Sequence, residues 1–243
     1  MINKYNDKRG IFPKVVPYLT PEQKLIKDDF MEHWLQVLRN NYGIVDRFNH
    51  KIVVRNKSKN FLKTLEIGAG LGEHLNYEEL NEDQKRNYYA LDIRENLLKI
   101  LAREHPLVKP VLGDSNKMEF KDNFFDRVIA IHVLEHLPDL PKTINEISRV
   151  LSINGLLQVV IPCEGSMAYS LARKISAERI FKKKYNTSYD WFIKSEHLNL
   201  PYEIFNELKE RFTITEKFYF PFPIPFEFCN LCIGINLKLN PKY

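Results

Sequence analysis

Along most of this chain, apolar runs of strand length alternate with stretches whose apolar residues recur at helical spacing. Phe61, Leu62, Leu65 and Ile67 mark a first strand, and Tyr88 to Leu91 marks a second that closes on Asp92. Val108 to Leu112 reads as a third, Asp126 to Ile131 as a fourth and Leu156 to Ile161 as a fifth. Between them, Leu97, Leu98, Leu101 and Ala102 give Arg94–Glu104 a helical face, and Ile144, Ile147 and Val150 do the same for Pro141–Leu151. The link Asn76–Asn87 is short and polar, so the first crossover helix must be brief. Near-continuous apolar strands separated by helices predict a parallel sheet covered on both faces. Pro110 has no N–H to give a ladder, which puts the third strand at an edge.

The flanks read differently. Residues 1–19 carry no periodic signal, and then Thr20-Pro21-Glu22-Gln23 sets a helix start, with Thr20 as N-cap and Gln23 at the capping-box position. Ile26, Phe30, Trp34, Val37 and Leu38 follow as an apolar stripe. After strand five comes a segment rich in aromatics (Tyr169, Phe181, Tyr185, Tyr189, Trp191, Phe192), read as a lid. Pro201–Glu210 is a last helix, and Phe212–Phe220 and Cys229–Leu239 are closing strands joined by a proline-rich turn. A chain of 243 residues with 44% apolar content can bury one good core. The expected organisation is one domain: a helical extension (1–60), a core (61–165), a lid (166–200) and a closing helix with hairpin (201–243).

The chemistry starts where strand one meets Gly68-Ala69-Gly70-Leu71-Gly72, since glycines between a strand and a helix let a ligand reach the backbone. Asp92 lies twenty residues past Gly72, where dinucleotide-type folds hydrogen-bond ribose hydroxyls. Glu66 stands just before the glycines, and its charge would repel a pyrophosphate but suits a ligand carrying an amine and a sulfonium. A nicotinamide-dependent redox enzyme is therefore the least favoured class.

With these motifs the chain resembles the class I S-adenosylmethionine-dependent methyltransferases. The acid followed by G-x-G-x-G is Glu66 to Gly72, the ribose acid matches Asp92, and the adenine-side acid matches Asp114 in Leu112-Gly113-Asp114-Ser115. The similarity continues through Phe125–Ile131 and Val133-Leu134-Glu135-His136-Leu137. The resemblance implies an α/β, Rossmann-like, seven-stranded and mostly parallel sheet with an antiparallel last strand. It implies S-adenosyl-L-methionine as cofactor and S-adenosyl-L-homocysteine as product, held by Glu66, Gly68, Gly70, Asp92, Ile93, Asp114, Ser115 and the backbone at Ile131. The lid and hairpin look like those of bacterial enzymes of surface-polysaccharide or nucleotide-sugar pathways, which implies O-methylation of a sugar or phosphate-type oxygen.

Ligands of open parallel sheets bind beyond the carboxyl ends of the strands. There the sequence runs His132-Val133-Leu134-Glu135-His136, and a helix starting at this point would align His132, Glu135 and His136 on one face. His197 follows the lid. The set resembles in part the metal site of small-RNA 2′-O-methyltransferases and ubiquinone-pathway O-methyltransferases. It would hold a divalent zinc, iron or manganese ion through His132, Glu135, His136 and His197. Without a metal, His132, His136 or His197 is the expected general base.

Charge adds a partner class. From Ser166 to Ser195 seven basic residues face two acids, enough to account for the chain's net charge of +5. A solvated helix face explains this, and so does a field that draws in a small anionic acceptor, or less readily RNA. Cys163, Cys229 and Cys232 form no paired framework, and Cys229-x-x-Cys232 in a strand would point its thiols to opposite faces. A charged start and the absence of a long apolar run predict a cytoplasmic protein without a membrane partner. A cofactor-binding subunit without catalysis is the rival of a different class.

Overall fold

The computed structural model describes residues 10–41, 43–55, 57 and 60–241. Seven strands form one sheet: β1 (Thr64–Ile67), β2 (Tyr88–Asp92), β3 (Lys109–Leu112), β4 (Phe125–Ile131), β5 (Leu151–Pro162), β6 (Phe212–Phe220) and β7 (Cys232–Leu239). Their order is β3-β2-β1-β4-β5-β7-β6. The first five run parallel, and β7 is antiparallel to both β5 and β6. β3 is an edge strand, as Pro110 requires.

On one face, α5 (Leu140–Val150) and α9 (Pro201–Arg211) pack against the sheet. Leu140, Ile144, Ile147 and Val150 of α5 join Leu65, Val128 and Val159 in the main core. On the other, α2 (Gly43–Arg55) lies over β4, β5 and β7 with Val53 against Ile129 and Val160. The first crossover is brief, as expected: a 3₁₀ turn (Glu73–Tyr77) and α3 (Glu82–Arg86). α4 (Glu95–Glu104) buries Leu98 and Leu101.

β5 begins earlier than its apolar run indicates. Asn154-Gly155 lies at an irregularity inside the strand, with the register shifting as Phe125 pairs Leu151 and Arg127 pairs Leu156. A Cβ at Gly155 would stand 2.9 Å from the Ser152 carbonyl oxygen, so the bulge needs glycine there.

α1 (Pro21–Asn41) opens on the expected capping box: Gln23 N–H donates to Thr20 Oγ1 and Thr20 N–H to Gln23 Oε1. Phe30 is its buried anchor, whereas the side chain of Leu38 lies outside the described residues. The lid is three short helices, α6 (Met167–Ile175), α7 (Ala177–Tyr185) and α8 (Asp190–Glu196). Phe181, Tyr189 and Phe192 close around Phe30, so the lid packs on α1. Among the described residues no helix is long and apolar enough to cross a membrane.

One polar network runs beneath α2. Arg127, fully buried on β4, donates to Gln158 Oε1 at 2.7 Å and Glu78 Oε1 at 2.6 Å. Glu78 also takes Lys57 and His74. Although burial opposes it, these partners hold the Glu78 carboxyl far below its ordinary range, so the buried charge is paired.

Candidate active site

The glycine turn has the backbone its sequence demands. Gly68, Gly70 and Gly72 have φ of 69°, 55° and 82°. A Cβ at Gly68 would lie 2.4 Å from Val133 Cγ2, so the turn also needs glycine to let the segment after β4 approach. Asp92, at the end of β2, ties this turn down: its Oδ2 accepts from Gly70 N–H at 2.9 Å. Its carboxylate also accepts from Arg94 N–H, Nε and Nη2 at 2.9 to 3.0 Å. Burial works against the charge, but Arg94 more than offsets it and the Asp92 carboxyl stays below its usual range.

Glu66 is buried on β1 and accepts from Tyr88 Oη at 2.8 Å. Burial pushes its carboxyl up to about 8, with the Tyr88 hydrogen bond opposing and the charges of Glu73 and Glu78 adding. Ile93 is 72% exposed beside Asp92. Asp114 is exposed and accepts from Asn116 N–H, whereas the Ser115 hydroxyl is buried at 3.2 Å from Thr143 Oγ1. Ile131 ends β4 opposite Val160.

The second half of the site lies past Ile131, and no α-helix starts there. His132 takes a left-handed conformation with φ of 51° while its N–H donates to the Val160 carbonyl, and Leu134–His136 is a single 3₁₀ turn. The three residues nevertheless meet. The Glu135 carboxylate, almost fully buried, sits 3.1 Å from His132 Nδ1 and 3.9 Å from His136 Nε2. Burial opposes its charge, but the His132 hydrogen bond and the neighbouring imidazoles hold its carboxyl down to about 2. Burial lowers His136 as well, and its Nδ1 donates to the Glu196 carbonyl oxygen at 2.7 Å.

His197 joins the cluster from the end of α8, its ring centroid 5.2 Å from that of His136. Its Nδ1 lies 2.7 Å from Glu164 Oε2, and Glu164 also takes Arg173. Paired with an ionised carboxylate, Nδ1 carries the ring proton and Nε2 keeps a lone pair. Glu164 stands just past β5 and is a residue the sequence reading passed over, as is Arg94. His197 further lines a cleft of about 530 Å³ whose walls include Lys14, Val15, Lys194 and Leu198. Two buried polar atoms of the cluster, His132 Nε2 and Glu135 Oε2, have no partner among the described residues.

Comparison with known proteins decides what such a site belongs to. Residues 65–159 match the family model described as a methyltransferase domain. Over that stretch the chain is similar to a methyltransferase domain. It is 32% identical over 98 residues to the human mitochondrial arginine-hydroxylase NDUFAF5, covering 40% of this chain and 28% of that protein. It is 31% identical over 123 residues to the sterol 24-C-methyltransferase erg6 of Aspergillus fumigatus, covering 49% of this chain and 32% of that protein. The chain thus spans less than a third of either relative. Among solved structures, a TehB-like S-adenosylmethionine-dependent methyltransferase from Corynebacterium glutamicum superposes with a TM-score of 0.59 at 12% identity, over 89% of this chain and all of that one. At that identity the likeness is one of fold, the class I Rossmann-like sheet.

The glycine turn, Asp92 and the open Ile93 face suit the cofactor of a methyltransferase domain, with Arg94 holding the oxygens that ribose hydroxyls would use, whereas Glu66, buried on Tyr88 with its carboxyl pushed up to about 8, does not present the charge expected of it. The metal site expected from the sequence is not formed: among the described residues no group of three or more His, Cys, Asp or Glu side chains could hold a metal ion. His132 pairs with Glu135 and His197 with Glu164, and His136 turns Nδ1 to a backbone carbonyl. The four side chains therefore pair off, and do not converge on a point about 2 Å from each donor as a metal requires. Cys229 sits in a 3₁₀ turn, outside the closing strand, with Sγ on the Phe226 carbonyl, while Cys232 is buried in β7.

Proposed function

We propose that this chain transfers a methyl group from S-adenosyl-L-methionine to an oxygen of a small anionic acceptor, with His197 as general base. The observation that carries this reading is the Glu164–His197 pair at the edge of the cleft that Lys194 lines, where Lys14 is paired with Glu203. When bound, S-adenosylmethionine supplies a sulfonium-activated methyl group and leaves as S-adenosylhomocysteine. The protein's part is to align the acceptor and remove its proton. Glu164 fixes the tautomer of His197, so Nε2 takes the hydroxyl proton as the oxygen–methyl bond forms. The resulting imidazolium is stabilised by the Glu164 carboxylate, which Arg173 holds in place. Lys194 on the cleft wall supplies a charge complementary to a phosphate or carboxylate on the acceptor. His132 Nε2 and Glu135 Oε2, buried and unpartnered, are suited to a polar ligand and wasted on an apolar one.

One fold hosts many chemistries, so transfer has to be measured directly. The test uses methyl-labelled S-adenosylmethionine and a panel of phosphorylated sugars, nucleotides and hydroxy acids. His197→Asn should retain cofactor affinity and lose about 10²–10⁴-fold in turnover. Glu164→Gln should keep part of the activity with a shifted acid limb in its pH profile. Label transfer that is equal in wild type and His197→Asn would remove the base assignment. Binding without transfer across the panel would favour a cofactor-binding subunit.

A further inference from the structure

A surface on the far side of the lid from α1 is apolar where solubility would have it polar. Met167, Leu171 and Ile175 of α6 lie at i, i+4 and i+8, share one helical face and are each at least 60% exposed. Lys174 is exposed next to them. Against α6 packs the 3₁₀ turn Glu227–Cys229 of the β6–β7 connection, and Ser166 Oγ bonds the Asn230 carbonyl across the junction. This connection projects Phe222, Ile224, Phe226 and Phe228, from 44% to 64% exposed.

The projection is built. Asn230 is fully buried, and its side chain accepts from Phe222 N–H at 2.8 Å and donates to the Phe226 carbonyl at 2.8 Å and the Ile224 carbonyl at 3.1 Å. The fold thus fixes the backbone of a loop whose large side chains make no use of the core. Monomeric proteins rarely keep so many contiguous apolar side chains in water without a partner.

Charge selects the partner. Lys174 stands within the stripe, and Arg179 and Lys183 are exposed on the adjoining α7. Glu227 is the acid of the loop, and burial draws its carboxyl above the usual range. A second copy bound by this same face would bring a second set of the same cations into one interface and no additional kind of acid to offset them. An anionic lipid surface complements them while taking the aromatic and aliphatic side chains into its interface. We propose that α6 and the β6–β7 loop dock the protein on an anionic phospholipid bilayer. This reverses the expectation of no membrane partner, which rests on the absence of a spanning run, because surface docking needs none. Glu164, the partner of His197, lies just before α6 in sequence and in contact with Arg173 on it, so docking sets the cleft near the lipid surface.

The experiment is vesicle flotation of the full chain with phosphatidylcholine alone and with one third phosphatidylglycerol, alongside light scattering. Binding to the anionic vesicles is expected to exceed binding to the neutral ones by about tenfold or more. Phe226→Ser with Phe228→Ser should cut it about tenfold, and Lys174→Glu with Lys183→Glu should abolish the preference for anionic lipid. All four positions are exposed, so these variants fold. No flotation with either composition overturns the proposal, as does equal flotation of wild type and variants. A dimer dissociated by the paired Phe variants, without vesicle binding, assigns the face to a second copy instead.

Discussion

Replacing Glu66 with glutamine isolates the electrostatic consequence of putting a carboxyl in the first strand. The group is 4% exposed, and burial pushes its carboxyl from an ordinary 4.5 up to about 8. The folded protein therefore keeps Glu66 protonated over a range in which the unfolded chain has ionised it. The stability it contributes is fully present below 4.5 and is lost progressively as pH rises toward 8. Each pH unit in that window costs at most ~1.4 kcal/mol, which caps the whole effect at about 5 kcal/mol. Glutamine keeps an acceptor for Tyr88 Oη and cannot ionise. Urea unfolding of wild type and Glu66→Gln, followed by circular dichroism between pH 5 and 8.5 without cofactor, should show two proteins of similar stability at pH 5. The variant should then gain on wild type as pH rises, since every other titrating group cancels in the difference. A difference that stays flat with pH would refute the reasoning and mean that Glu66 is ionised in the folded state.

Two further outcomes follow from the same turn. Asp92→Ala removes the carboxylate expected to accept from two ribose hydroxyls, together with the anchor of Gly70 N–H, and calorimetry should show at least about 100-fold weaker S-adenosylhomocysteine binding, at ~1.5–3 kcal/mol per hydrogen bond to a charged group; unchanged affinity would remove the ribose assignment. Gly68→Ala should lower unfolding stability by about 1–3 kcal/mol, because its φ is 69° and the new Cβ would meet Val133 2.4 Å away, and adding Val133→Ala should restore the steric share but not the share due to φ.

What could be read in the sequence was whatever residue type alone decides. Pro110 forces an edge, Thr20 and Gln23 force a helix start, and the polar link before β2 forbids a long crossover helix; all three appear in the fold. The glycine turn was legible for the same reason, being a backbone requirement written as glycine, whereas the hold of Asp92 on Gly70 N–H was not. The helix considered for His132 to His136 does not form: His132 takes a left-handed φ while its N–H donates to the Val160 carbonyl on the next strand, a pairing that spacing along the chain does not show. The metal expectation went with it, since it counted ligand types and could not see that each imidazole finds its own partner. Arg94 and Glu164 are single charges in connections, where spacing carries no message. Both follow strand ends where open sheets place their sites, and that position was the available signal.

Phe30 is 1% exposed, yet the rings that enclose it at 5.0 and 5.1 Å belong to Phe181 and Phe192. Asp29 and Lys27 bind Lys184 and Glu196 in the same way, across more than 150 residues of chain. The packing of α1 on the lid therefore joins segments far apart in the chain, whereas the five parallel strands pair with partners nearer in sequence. Contacts of such high sequence separation form slowly, so α1 acts as a clasp that fastens the lid late in folding.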